Sequence, residues 1–144
     1  MDEKKKKILA LLKTRTLGVV STIDSKNNKP ESALIAFSET DDLELIFGTS
    51  SDSRKFTNIQ INPRVAFAVN QDKTTVQYEG VAKVTDGEEA KQCQTVHFAK
   101  NASSVKYAQD EKQRYIKISP DWIRYSNHSS SPKDIFEINF GPKP

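Results

Sequence analysis

The sequence predicts a mainly β protein with helices (α+β), an antiparallel barrel of six to seven short strands. Three observations carry this. Runs of β-branched and aromatic residues recur along most of the chain. Turn-forming clusters such as Asp24-Ser25-Lys26-Asn27-Asn28 and Gln71-Asp72-Lys73 separate them. Helical periodicity is confined to residues 3–14, a short run after Lys55, and about Gly87 to Ala99.

Taken in order, residues 3–14 read as an amphipathic helix with Ile8, Leu9, Leu11 and Leu12 on the apolar side. Leu17 to Ile23 and Glu31 to Phe37 read as the strands of a hairpin. Ser38 to Asp42 turns the chain, and Leu43 to Phe47 is the next strand. After a polar turn, a short helix places Phe56 and Ile59 on one side. Asn62-Pro63 stops it, because the residue before proline is pushed out of the helical region. Strands follow at Val65 to Val69 and Thr74 to Val84, where Gly80 marks a bulge or a close backbone approach. Asp86 and Glu89 have the spacing of a capping box for the next helix. Lys100 to Lys112 reads as loop with a short helix. Arg114 to Ser126 reads as one or two strands broken at Pro120, and Ile135 to Phe140 as the last strand. Gly141 to Pro144 is a tail. The whole, residues 1–144, reads as one domain.

The chain has 144 residues, enough to bury roughly 70% of its unfolded surface. Its 22 basic and 19 acidic residues leave a net charge of +3, too balanced to argue for nucleic acid. The strands also lack the clustered exposed aromatics that single-stranded nucleic acid stacks on. A single cysteine, Cys93, excludes an intramolecular disulfide and suits a reducing, cytoplasmic compartment. Two histidines and one cysteine, scattered, make no metal constellation. Lys4 to Lys7 before Ile8-Leu9-Ala10-Leu11-Leu12 reads as a helix start rather than a leader, since the apolar run is short and lacks a small-residue cleavage site. No stretch is long and apolar enough to span a membrane as a helix.

The chemistry concentrates between Phe47 and Val69. An apolar strand end runs into Gly48-Thr49, then Ser50-Ser51-Asp52-Ser53, then Arg54-Lys55 and the short helix. A helix N-terminus offers unpaired N–H groups and partial positive charge, so a phosphate binds there readily. Thr49 and Ser53 add hydroxyls, Arg54 a planar fork and Lys55 a point charge. Asp52 favours the helix dipole but repels phosphate, and is expected to point outward. The plainer alternative is a capped surface helix with a solvated basic pair.

The run Thr49-Ser50-Ser51-Asp52-Ser53-Arg54-Lys55, the helix, Asn62-Pro63 and the apolar strand resemble the FMN-phosphate segment of the pyridoxamine 5'-phosphate oxidase-like split barrels. The element order matches from about Leu17 to Phe140. The resemblance implies an FMN-binding split β-barrel and a homodimer with FMN at the interface. It implies that Thr49, Ser53, Arg54 and Lys55 hold the phosphate, and that the flavin ring lies along Ala33, Leu34, Ile35, Ala36 and Ser38. The family's oxidases carry an arginine and a lysine at the two ends of that strand; here Ala33 and Ser38 stand there. Thr75 stands where a glutamine is usual.

Trp122 reads by itself as a half-buried strand residue and, through the resemblance, as a wall over the flavin ring. Arg124 reads as a solvated strand arginine, His97 as a core or interface histidine, His128 as a loop residue and Cys93 as a small buried hydrophobe. A flavin carries its own redox chemistry, so no protein nucleophile or acid–base pair need be visible. The resemblance thus points to a flavin-dependent oxidoreductase acting on a small molecule, without naming the substrate. The alternative class is a non-enzymatic split barrel that binds flavin, haem or another ligand, or serves in a stress response. The helical segment His97 to Ser103 has no arginine, and no Arg-x-His follows. A true pyridoxamine 5'-phosphate oxidase, which uses both for its substrate's phosphate, is therefore not expected.

Overall fold

The structure, a computed structural model, describes residues 2–141. Helix α1 (Glu3–Thr14) leads into the hairpin β1 (Leu17–Asp24) and β2 (Lys29–Ala36), then the two-residue β3 (Ser38–Glu39) and β4 (Leu45–Ser50). Helix α2 (Arg54–Ile61), β5 (Arg64–Gln71), β6 (Thr74–Val84) and α3 (Gly87–Lys100) follow. A short 3-10 helix (Ala102–Tyr107) precedes β7 (Gln113–Asn127) and β8 (Asp134–Asn139). The strands form one antiparallel sheet in the order β2-β1-β5-β6-β7-β4-β3, with β8 also on β7. The sheet curls into a half-barrel. Strand β7, 15 residues long, organises it. One edge pairs with β6 along its length; the other pairs with β4 through its first half and β8 through its second.

The main core cluster joins α1 to the sheet. Phe37, Phe67 and Tyr78 stack edge-to-face, with centroids 5.0 and 6.2 Å apart. Ile8, Leu9, Leu11 and Leu12 of α1 are all buried in the same cluster. Asp2 caps that helix, its carboxylate accepting from the Lys4 and Lys5 N–H groups. The Tyr78 hydroxyl donates to the Leu43 carbonyl at 2.8 Å and also lies 3.2 Å from the Ile118 carbonyl. A second, smaller cluster of Ile46, Cys93 and Tyr115, with Val96 and Phe98, packs α3 on the sheet's other side.

Several boundaries differ from expectation, each for a local reason. The strand expected from Leu43 starts at Leu45, because Leu43 occupies a left-handed turn (φ 63°) tied back by its N–H to the Thr40 carbonyl. The same strand continues through Thr49 to Ser50, beyond the expected end at Phe47, because β7 pairs with it that far. Ser38 and Glu39, expected in a turn, form β3 against β4. Pro120 does not break β7. The register shifts at Glu79/Gly80, so that Glu79 faces Trp122 while Gly80 faces Pro120 and Asp121 is the extra residue. The bulge lies beside Pro120, which has no N–H to offer the ladder. Gly80 also permits a close approach: a Cβ there would lie 2.4 Å from the Ser119 carbonyl oxygen. The capping box does not form. Asp86 makes no side-chain cap bond, and Glu89 instead pairs with Lys83 at 2.7 Å and Lys117 at 3.0 Å. Of the tail, only Gly141 falls within the described residues.

Candidate functional site

The site grows from the turn between β4 and α2. Ser53 is the N-cap of α2: its hydroxyl accepts from the Phe56 N–H at 3.2 Å. The first N–H groups of the helix, those of Arg54 and Lys55, have no intrahelical acceptor four residues back. The Thr49 and Ser53 hydroxyl oxygens lie 2.8 Å apart. One of their two hydrogens is spent between them, which leaves one for a ligand. Asp52 points away, paired with Lys112 at 2.7 Å.

The basic pair divides. Arg54 donates to Glu31 at 2.8 Å, and its side chain is 72% exposed. Glu31, on β2, also accepts from Asn58 at 2.8 Å and pairs with Lys29 at 3.5 Å. Arg54 therefore already holds a carboxylate. Lys55 forms no ion pair among the described residues, and burial pushes its ammonium below the usual lysine range. It lines two adjoining clefts. One, about 390 Å³, is bounded by Leu34, Ile35, Ala36, Thr49 and, across from them, His97 and Tyr115. The other, about 110 Å³, is bounded by Glu31, Ser32, Ala33 and Arg54. Lys55 is thus a half-buried cation between two concavities.

Strand β2 forms the common wall. It ends the sheet's strand order, so one side of its backbone has no neighbouring strand there. Ala33 faces the smaller cleft and Leu34, Ile35 and Ala36 the larger. Ser38 is taken out of reach. It is 0% exposed, and its hydroxyl lies 3.1 Å from His97 Nδ1. Trp122 stands elsewhere. Its Nε1–H donates to Glu137 at 2.7 Å, and it lines a separate cleft of about 1,100 Å³ with Ser21, Arg64, Glu79 and Asp121. Within one chain, then, the structure joins Thr49, Ser53, Lys55 and the β2 wall and leaves Trp122 apart.

His97, expected in a core or interface, borders the larger cleft although it is 3% exposed. Burial first, and the Lys100 ammonium second, push its imidazole below the usual histidine range, which favours its neutral form. Tyr115 and Gln113 also line this cleft. Sequence spacing put His97 on an apolar helix face, and nothing local to it showed that a cavity lies beyond. Arg124 pairs with Glu137 at 3.3 Å. Among the described residues no group of three histidine, cysteine, aspartate or glutamate side chains is placed to hold a metal, and no helix is long and apolar enough to cross a membrane.

The sequence profile of the family described as pyridoxamine 5'-phosphate oxidase matches residues 5–127, from α1 to the end of β7. The chain belongs to the pyridoxamine 5'-phosphate oxidase family. No curated protein matches it. Among solved structures, General Stress Protein 26 from Bacillus anthracis is 27% identical, with a TM-score of 0.71 over 95% of this chain and 100% of that one. A heme binding protein from Mycobacterium smegmatis is 13% identical with a TM-score of 0.82; the match covers 96% of this chain but only 59% of that one. A pyridoxamine 5'-phosphate oxidase-related, FMN binding protein from Nostoc punctiforme is 12% identical with a TM-score of 0.69, over 99% and 98% of the two chains. The family fold therefore accompanies more than one ligand.

Proposed function

We propose that this chain binds FMN and acts as a flavin-dependent oxidoreductase on a small molecule, as a homodimer in the cytoplasm. The observation that carries the reading is Lys55: a half-buried ammonium without a carboxylate partner among the described residues, at a helix N-terminus, beside the Thr49–Ser53 pair. A phosphate there meets a desolvated cation, two helix N–H groups and one free hydroxyl hydrogen. Arg54 joins it only by giving up Glu31. The unpaired edge of β2 over Ala33 to Ala36 offers backbone donors and acceptors to the edge of a planar ring. Bound flavin supplies the electron transfer; the chain binds, orients and shields it.

The dimer reading rests on the outer face of the sheet. Leu17, Val19 and Leu34 are exposed there, Leu34 to 67%. Val19 pairs with Leu34 on one side and Ala68 on the other, so the apolar residues are contiguous across three strands. A twofold axis would cover this face. The test is direct. Purified protein should take up FMN with flavin absorption bands and prefer FMN to riboflavin, which lacks the phosphate. Equal affinity for the two would sink the phosphate assignment. A non-enzymatic haem-binding reading is favoured by one feature, an imidazole at the cleft, and is tested by the absorbance of a haemin titration.

A further inference from the structure

The Ser38–His97 contact determines more than the position of a ring. Ser38 Oγ lies 3.1 Å from His97 Nδ1 and has no other hydrogen-bond partner among the described residues. Two proton arrangements satisfy that distance. If Nδ1 carries the proton and donates to Ser38, the hydroxyl hydrogen of a 0% exposed serine is stranded. If Ser38 donates to Nδ1, every buried hydrogen is used. A stranded buried donor is the costlier state, so the imidazole proton belongs on Nε2.

Among the described residues Nε2 has no hydrogen-bond partner. Nor is it sealed: among the described residues the one enclosed side-chain polar atom without a partner is Asp121 Oδ1. The small accessible part of His97 therefore includes Nε2, and His97 borders the 390 Å³ cleft. We propose that His97 is a ligand-recognition residue, presenting a neutral Nε2–H donor to an acceptor oxygen of the molecule held in the cleft, with Ser38 as its positioning residue.

Groups around the ring agree with this role. Lys100, one turn further along α3, disfavours an imidazolium, and the Tyr115 ring packs 6.4 Å away from β7. Lys55 borders the same cleft from α2. The cleft thus combines one cation and one neutral donor, a pairing for an anionic ligand that also carries a carbonyl or carboxylate oxygen. The same proton placement disfavours metal ligation at Nε2, which needs the lone pair there. That the acceptor is a flavin oxygen rests on the FMN reading above; the donor at Nε2 does not.

The test uses full-length protein labelled with ¹⁵N-histidine, stripped of ligand, and long-range ¹H–¹⁵N spectra near neutral pH. His128, exposed in its loop, is the internal reference. The expected result is a single His97 form protonated at Nε2, converted to a tautomer mixture by Ser38→Ala. FMN should then shift the Nε2–H signal. A shift with riboflavin assigns the acceptor to the ring system, and a shift with inorganic phosphate alone assigns it to the phosphate. His97→Phe should weaken FMN binding roughly 10-fold, with His97→Gln, which keeps an N–H donor, recovering part of it. A ligand-free protein protonated at Nδ1, or bound FMN with unmoved His97 signals, overturns the proposal. Failure of wild-type protein to bind FMN or riboflavin overturns the flavin reading instead, and the ligand-free tautomer still decides the donor.

Discussion

At the residue scale, the two basic side chains after Ser53 are not equivalent. Lys55 is half-buried and has no ion-pair partner among the described residues; Arg54 is exposed and committed to Glu31. A charge-assisted hydrogen bond contributes about 1.5–3 kcal/mol, so Lys55→Ala should weaken FMN binding roughly 10- to 100-fold. Arg54→Ala should cost less, because its guanidinium is already committed to Glu31 and reaches a ligand only by giving that carboxylate up. Fluorescence titration of both variants checks the order, and a larger loss for Arg54→Ala would reverse the assignment. His97 makes a second residue-scale prediction. Its folded-state pKa is lowered, so the folded chain binds fewer protons than the unfolded one. Its neutral burial therefore favours folding above about pH 6.5, the ordinary histidine value, and that contribution is lost as pH falls below it. Urea denaturation at pH 7.5 and 5.5 should show a steeper stability loss in wild type than in His97→Gln.

At the scale of elements, the bulge between β6 and β7 is the feature most exposed to mutation. Gly80→Ala places a methyl 2.4 Å from the Ser119 carbonyl, and backbone cannot swing aside as a side chain can. The cost should be about 1–3 kcal/mol, read as a lowered urea midpoint. An unchanged midpoint would mean that the bulge slides. The strands were largely legible because alternation and turn residues are local properties. Thr74 to Val84 is β6 with the expected bounds. Pro120 misled because its tolerance depends on a bulge in which Glu79 and Gly80 oppose Trp122 and Pro120. Asp86 and Glu89 misled because Lys83 and Lys117 compete for Glu89, and the second of those comes from another strand.

At the scale of the whole molecule, the dimer reading rests on the exposed apolar face that carries Leu17, Val19 and Leu34. Leu34→Lys with Val19→Lys should turn a dimer into a monomer in sedimentation equilibrium, since a symmetric interface repeats each charge twice. A wild-type monomer that binds FMN tightly would contradict the shared site. Membership of the family does not by itself imply its name-giving reaction, which is not expected of this chain. The segment His97 to Ser103 carries no arginine, and Lys100 is occupied by the Leu12 carbonyl at 2.9 Å and by Glu39. A substrate phosphate would be poorly oriented there, and misplacement alone costs about 100-fold in rate. FMN-loaded protein under air should form pyridoxal phosphate far below about 1 per second, a common enzyme rate; turnover at that rate would overturn the expectation.

What the sequence determined by itself were the elements and the character of one turn. Strand alternation, the Asn62-Pro63 stop and the run from Thr49 to Lys55 are written in neighbouring residues, and local sterics and capping decode them without reference to the rest of the chain. The tertiary structure alone decided which of those residues are free to act. Arg54 and Lys55 are adjacent in sequence, but Glu31, on strand β2, engages one and not the other. Ser38 and His97 are 59 residues apart, and only the packing of α3 against the β3 region makes them a pair. Availability of a polar group depends on what long-range folding places beside it and how much water that removes, and neither quantity is carried by the residue or its neighbours.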